Sequence, residues 1–259
     1  MGRAPAPPAR LSLPAHDLAH LWWIALDGQD PYECDRLFDV LDPSERQRCG
    51  KLSSPGSRVR FTVSHGAARC VLARYLGIRP HNIRTTTSRW GKPELDGIKP
   101  ILRFNLSHVD GIALLAIART REIGVDIERR RDAEFVSAVS ARHFARNEAR
   151  WLAATPCGRR EAVFLRLWTR KEASVKAVGG RLGDGLPLPV AGRCRSLVVP
   201  APGNRTGSLR LRDIRAPRDH AAAVALTGAL PFRAVHHWWR PEFTESTGAA
   251  VAPAITRQG

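Results

Sequence analysis

One order of segments occurs twice along the 259 residues: a strand, then helices, then a pair of antiparallel strands. In the first half "LWWIAL" (21–26) reads as a strand. "DPSERQRCGKL" then opens a helix, with Asp42 as N-cap, Pro43 at the first helical position and Glu45 three residues after the cap. "GSRVRFTVSHGAARCVLARYLG" places Val59, Val63, Ala67, Cys70, Val71 and Leu72 near a helical period and stops at Gly77. "RWGKPEL", punctuated by Gly91 and Pro93, is a loop, and "ILRFNLSHVDGIALLAIA" gives a hairpin turning at Asp110-Gly111. The second half repeats the plan. "EIGVDIE" is a strand, helices follow near 133–142, 146–154 and 160–178, and "SLRLRDIRAPRDHAAAVALTG" supplies a strand pair. The repeat is architectural, without clear residue-level identity. It implies an α+β fold of two pseudo-symmetric halves, residues 20–120 and 121–243. An Ala/Pro-rich disordered start (1–19) and a small, polar, flexible tail (244–259) flank them.

Composition narrows the function. No apolar run approaches the roughly 20 residues that span a bilayer, and "LWWIAL" is too brief for a secretory core, so a cytoplasmic protein is expected. The five cysteines (34, 49, 70, 157, 194) are odd in number and contain no C-x-x-C pair, which points to free thiols. The net charge of +17 favours anionic partners. That excess is diffuse: residues 1–120 hold 17 Lys+Arg against 11 Asp+Glu, and the remainder 24 against 13. A nucleic-acid binder would show a clustered basic stripe with interleaved aromatics, so nucleic acid is not the expected partner. Only five of the 41 basic residues are lysine, and Lys92, Lys171 and Lys176 fall in the motifs that follow.

In "EIGVDIERR" the aliphatics Ile123, Val125 and Ile127 alternate with Gly124, Asp126 and Glu128, so a strand puts both carboxylates on one face. Paired acids suit a hard divalent cation such as Mg²⁺; the competing reading is a solvated edge strand neutralised by Arg129 to Arg131. In "WTRKEASVKAVGG", Glu172 lies four residues after Trp168 and four before Lys176, on the flank of an apolar stripe. Alone this is an ordinary helical ion pair of about 0.2–0.5 kcal/mol. Beside Asp126 and Glu128, Glu172 would supply a third oxygen ligand or a general base, and Lys176 a charge for a phosphate. "FNLSHVDG" sets Ser107 and His108 where a strand enters a turn, and "WGKPEL" offers Lys92 in a Gly/Pro loop.

Taken together and in order, "WGKPEL", "FNLSHVDG", "IGVDIE" and "WTRKEASVKAVGGRL" resemble the Sfp-type 4′-phosphopantetheinyl transferases, over roughly residues 20–240. The resemblance implies coenzyme A in the cleft between the halves. It also implies a single active site, because Ile24 and Leu26 stand where the second half has acids. By matching positions, Asp126, Glu128 and Glu172 would bind Mg²⁺ or Mn²⁺, with Glu172 also the base, and Lys176 would hold the coenzyme A phosphates. Lys92 and Pro93 match the adenine-side loop, and Ser107 and His108 match residues near the nucleotide phosphates. Arg60 aligns with an arginine for the 3′-phosphate, and Arg48 with a nearby basic position, whereas Glu45 reverses a charge found in some members. The implied reaction moves 4′-phosphopantetheine from coenzyme A to a serine of an apo acyl or peptidyl carrier protein, releasing adenosine 3′,5′-bisphosphate, with the enzyme a monomer. The rival readings are a catalytically silent coenzyme A binder and a basic nucleic-acid-binding protein.

Overall fold

Strand alternation sorts the interior into three apolar layers. The computed structural model describes residues 10–97, 101–129, 133–192, 194–203 and 205–241. The first half runs β1 (Leu18–Ala25), α1 (Pro31–Asp39), α2 (Pro43–Gly50), α3 (Pro55–Leu76), a 3-10 turn, β2 (Thr85–Thr87), β3 (Pro93–Leu95), β4 (Arg103–Val109) and β5 (Ile112–Ala118). The second runs β6 (Ile123–Arg129), α4 (Ala133–His143), α5 (Arg146–Ala154), α6 (Cys157–Val178), α7 (Leu182–Gly185), β7 (Ser196–Pro200), β8 (Ser208–Ile214), β9 (His220–Thr227) and β10 (Arg233–Trp238). No helix among the described residues is long and apolar enough to cross a membrane, and all five cysteines are free.

The two main sheets have the orders β10-β1-β5-β4 and β6-β9-β8-β7. In the first, β1 is antiparallel to β5 and β5 to β4; in the second, β6 is antiparallel to β9 and β9 to β8. The trios β1-β5-β4 and β6-β9-β8 thus repeat one connectivity, and each is covered by a 22-residue helix, α3 or α6. This is the pseudo-symmetry that the repeated segment order implies. Leu21, Trp23, Leu114 and Ala116 of the first sheet pack against Ile123, Val125, Ile127, Val224 and Leu226 of the second. The opposite faces meet the helices: Trp22, Ile24, Leu115 and Ile117 lie with Val63, Ala67 and Val71 of α3, and Leu209, Leu211, Ala223 and Ala225 with Phe164, Leu167 and Ala173 of α6. Each buried Val, Leu, Ile or Phe side chain contributes about 1.5–3 kcal/mol.

The helix ends obey the capping chemistry. Asp42 accepts the Glu45 amide at 2.9 Å while the Glu45 carboxylate accepts the Asp42 amide at 3.0 Å, closing a capping box. Gly77 ends α3 at φ 68° and Gly179 ends α6 at φ 58°, left-handed positions that favour glycine. α6 begins at Cys157, ahead of the expected 160, because Pro156 sets the chain's entry. α1, capped by Asp30, and the short strands β2, β3, β7 and β10 were not assigned from the sequence. Residues 1–9 and the tail 244–259, expected to be disordered, lie outside the described residues. Residues 10–17 are ordered rather than loose: the Leu11 amide donates to the Arg74 carbonyl at 3.0 Å, and Leu11 and Leu13 pack on the first core.

Two sheet edges, β4 and β6, face one another without forming a ladder. The Val125 amide donates to Asn105 Oδ1 at 2.9 Å and the Ile127 amide to Ser107 Oγ at 3.4 Å. Side chains of β4 thus satisfy buried backbone donors on β6 that a neighbouring strand would otherwise have to meet.

Candidate active site

The site begins with Gly124. A Cβ there would fall into the α6 backbone at Ala173 and Ala177, so glycine lets the helix lie directly on the strand. Two residues on, Asp126 emerges on the same face. Its Oδ1 accepts from Lys176 Nζ at 2.6 Å and from Ser107 Oγ at 3.0 Å, and Lys176 Nζ also donates to Ser107 Oγ at 3.1 Å. Glu128, two residues further, accepts from Trp168 Nε1 at 3.2 Å. Glu172 stands one helical turn before Lys176, within electrostatic reach of Asp126, Glu128 and Lys176. β4, β6 and α6 therefore bring Ser107, Asp126, Glu128, Glu172 and Lys176 together.

Charge in this cluster is unevenly compensated. Burial pushes the Glu172 carboxyl up to about 7; Lys176 opposes that rise, and Asp126 and Glu128 reinforce it. Burial likewise pushes Asp126 up, against the pull of Lys176. Burial works against the Lys176 ammonium, yet Asp126 above all, then Glu172 and Glu128, outweigh it and hold its pKa above the ordinary lysine value. Lys176 is therefore the proton holder of the Lys176–Asp126 pair.

Beside the cluster lies a cavity of about 500 Å³ between α2, α3 and β2–β4. Its lining includes Arg48, His65, Arg69, Thr86, Pro93 and Phe104. β4 gives Phe104 and Leu106 to the cavity and Ser107 to the acid cluster. His108, exposed at the same strand end, lies in the electrostatic reach of both His65 and Lys176. Glu45, the reversed charge, is buried here: it accepts from Arg69 at 3.0 Å and faces His65 Nδ1 at 3.2 Å. Burial opposes its ionisation, but His65, the Asp42 amide and Arg69 hold the carboxyl below the ordinary glutamate range. The sequence reading missed His65 and Arg69; their spacing on one face of α3 opposite the capping box was the available signal.

Two expected nucleotide contacts are engaged elsewhere. Arg60 is outside the cavity lining, held by Asp27 through Nε at 2.7 Å and Nη2 at 3.1 Å. Lys92 is buried, with Nζ donating to Glu122 at 2.6 Å and to the Ala177 carbonyl at 2.7 Å. It ties the "WGKPEL" loop to the end of α6, and its neighbour Pro93 reaches the cavity. Arg48 lies over the Phe61 ring, 5.3 Å from its centroid, at the cavity wall.

The acid cluster fits a divalent cation. Among the described residues no three His, Cys, Asp or Glu side chains already stand at ligating spacing, and Lys176 occupies Asp126 Oδ1. Asp126 Oδ2, however, is buried without a hydrogen-bond partner among the described residues, and a polar atom left so in a protein interior costs stability unless something fills its place. Three carboxylates against one ammonium, all hard oxygen donors, match what Mg²⁺ or Mn²⁺ requires.

Comparison with known proteins agrees with the geometry. Residues 122–233, from just before β6 to the start of β10, match the family described as the 4′-phosphopantetheinyl transferase superfamily. The chain is 32% identical over 229 residues to the 4′-phosphopantetheinyl transferase HetI of Nostoc sp., covering 88% of this chain and 92% of that one. It is 27% identical over 158 residues to the 4′-phosphopantetheinyl transferase Sfp of Bacillus subtilis, covering 61% and 67%. A further relative, the transferase gsp of Aneurinibacillus migulanus, is 31% identical over 165 residues, covering 62% and 65%. With HetI matched over 88% of this chain at 32% identity, and with residues 122–233 matching the family itself, the chain belongs to the 4′-phosphopantetheinyl transferase superfamily.

Proposed function

We propose that this protein transfers 4′-phosphopantetheine from coenzyme A to a serine hydroxyl of an apo carrier protein, in a reaction that needs Mg²⁺ or Mn²⁺. The observation that carries this reading is the convergence of Asp126, Glu172 and Lys176, from β6 and α6, around a buried carboxylate oxygen with no partner among the described residues. Asp126, Glu128 and Glu172 would hold the ion, which when bound neutralises charge on the coenzyme A diphosphate.

The remaining work falls to the chain itself. The cavity beside β4 takes the nucleotide, with Arg48 supplying positive charge and Pro93 an apolar wall, while Arg69, paired with Asp42 and Glu45, braces the wall. Ser107, held between Asp126 and Lys176, and His108 stand near the phosphates. In the transfer a new bond forms between the carrier serine oxygen and the β-phosphorus. The bond to the α-phosphate bridging oxygen breaks, and adenosine 3′,5′-bisphosphate leaves. Glu172, with a carboxyl near pH 7, accepts the serine proton at its carboxylate oxygen. Lys176, kept protonated by Asp126, meets negative charge on the phosphates. Lys92 acts indirectly, fixing the loop that carries Pro93.

The test is to incubate the protein with coenzyme A, Mg²⁺ and several apo carrier proteins and weigh the carriers. A gain of the phosphopantetheine mass that disappears with EDTA or in Asp126→Ala is expected. No gain on any carrier would overturn the reading.

A further inference from the structure

The first and last described strands bring together two histidines that take no part in the proposed transfer. β10 runs parallel to β1 in a register that pairs His20 with Val235 and Trp22 with His237. Side chains two residues apart along a strand share a face, so His20, Trp22, Val235 and His237 lie on the side that meets α3. The two imidazole rings have centroids 5.2 Å apart and are inclined at 58°. His236 belongs to the opposite face, where its Nδ1 accepts from Trp23 Nε1 at 3.0 Å.

Each ring has one nitrogen to offer. His20 Nδ1 lies 2.7 Å from the Tyr75 hydroxyl, which also accepts from Trp22 Nε1 at 3.1 Å. A phenol oxygen has two lone pairs, so it can take the Nδ1 proton of His20 beside the indole proton and leave the Nε2 lone pair open. His237 is stacked on Trp22 with centroids 4.5 Å apart, and its Nε2 is buried with no hydrogen-bond partner among the described residues. The separation of the rings is the one a shared ion requires. With metal–nitrogen bonds of about 2.0–2.1 Å and an imidazole radius of about 1.1 Å, two rings on one tetrahedral ion have centroids about 5.2 Å apart. A hydrogen-bond partner on the other ring nitrogen, as Tyr75 gives His20, is the usual support of a metal-binding histidine. Both histidines are half-buried and β10 is the margin of its sheet, so an ion can enter from solvent.

We propose that His20 and His237 bind a divalent transition-metal ion of the nickel, copper and zinc class, which fastens the last strand to the first. Among the described residues no third His, Cys, Asp or Glu joins them, so water fills the remaining positions. The site differs from the acid cluster in place and in chemistry. β1 and β10 stand at the other margin of the sheet from β4, and imidazole nitrogens select these ions over the Mg²⁺ or Mn²⁺ that carboxylates favour. The inference is independent of the transfer reading.

The experiment titrates nickel chloride into the full-length protein at slightly alkaline pH, where histidine ligands are unprotonated, and follows tryptophan fluorescence. A paramagnetic ion held by His237 quenches Trp22, which is stacked on that ring. The proposal expects one saturable phase that EDTA reverses and Mg²⁺ does not reproduce, and a higher urea midpoint with Ni²⁺ than without it. Tyr75→Phe keeps both ligands and removes the partner of His20 Nδ1, so affinity should weaken about 10- to 100-fold. His20→Gln and His237→Gln should each cost at least as much and abolish the Ni²⁺ shift of the urea midpoint, with metal-free unfolding showing that each variant is folded. A wild-type response that persists in either histidine variant, or no saturable response in the wild type, overturns the site.

Discussion

Lys176 Nζ lies 2.6 Å from Asp126 Oδ1, while Oδ2 of the same buried carboxylate meets no hydrogen-bond donor among the described residues. One oxygen is neutralised within the protein, and the other is the one that the proposed ion would take. Because Lys176 is a turn beyond Glu172 on one helix, the ammonium that steadies Oδ1 would, in the proposed reaction, also meet the coenzyme A phosphates.

Asp126→Asn keeps the shape of the side chain and removes its charge. Transfer at saturating substrates should fall about 10²- to 10³-fold, the usual cost of losing one preorganised electrostatic contact. Quenched single-turnover reactions read by carrier mass would measure it; a loss under about tenfold would remove Asp126 from the ion-binding set.

Metal binding should be acid-sensitive. Glu172 titrates near pH 7, so below that value its carboxyl is neutral and an incoming ion must displace a proton. Apparent Mn²⁺ affinity should therefore weaken by about tenfold for each pH unit below 7 and level off above it. Calorimetry in buffers of differing protonation enthalpy would show the released proton, and Glu172→Gln should flatten the profile. An affinity constant from about pH 5.5 to 7.5 in the wild type would contradict the assignment.

Gly124→Ala places a methyl group where the α6 backbone runs. Neither partner can rotate away, so destabilisation should reach about 3 kcal/mol, the upper end of overpacking costs. Residual folded enzyme should lose activity because Glu172 and Lys176 ride on the displaced helix. A urea midpoint equal to the wild type's would mean the helix has slack.

Buried Lys92 bridges the cavity loop to the half-buried Glu122, just before β6, which Arg103 also holds at 2.7 Å. Desolvation lowers the Lys92 pKa despite Glu122, so Glu122→Gln alone leaves a buried ammonium with the Ala177 carbonyl as its charge-free partner, whereas Glu122 keeps Arg103 when Lys92 is removed. A double-mutant cycle with Lys92→Met and Glu122→Gln should give a coupling energy of about 1 kcal/mol or more. Lys92→Met should also raise KM for coenzyme A by loosening Pro93. Additive single effects would show that the bridge is incidental.

The parts legible in the sequence were those governed by local periodicity. Alternation in "EIGVDIE" placed Ile123, Val125 and Ile127 in the inter-sheet core and Asp126 and Glu128 opposite, as found. The Asp42–Glu45 box and Gly77 marked helix ends because a cap is a contact between near neighbours. What stayed hidden depends on distance along the chain. β10 pairs in parallel with β1 more than 200 residues away, as in Trp22 with His237, and nothing within either segment announces it. The Gly/Pro loop and its resemblance to an adenine-side loop point to Lys92 as a ligand contact. Its burial against Glu122 and Ala177 follows only from how the halves assemble. Arg60 likewise found a partner, Asp27, on another element.

An unpaired strand margin invites another chain to add on, and flat exposed margins are a common start of aggregation. Here the margin that bears Asp126 is turned against the margin of β4, and Asn105 and Ser107 occupy its donors. The protein can therefore keep its most reactive strand at the border of a sheet, where side chains from both halves reach it, without offering that strand's backbone as a template for foreign β-structure.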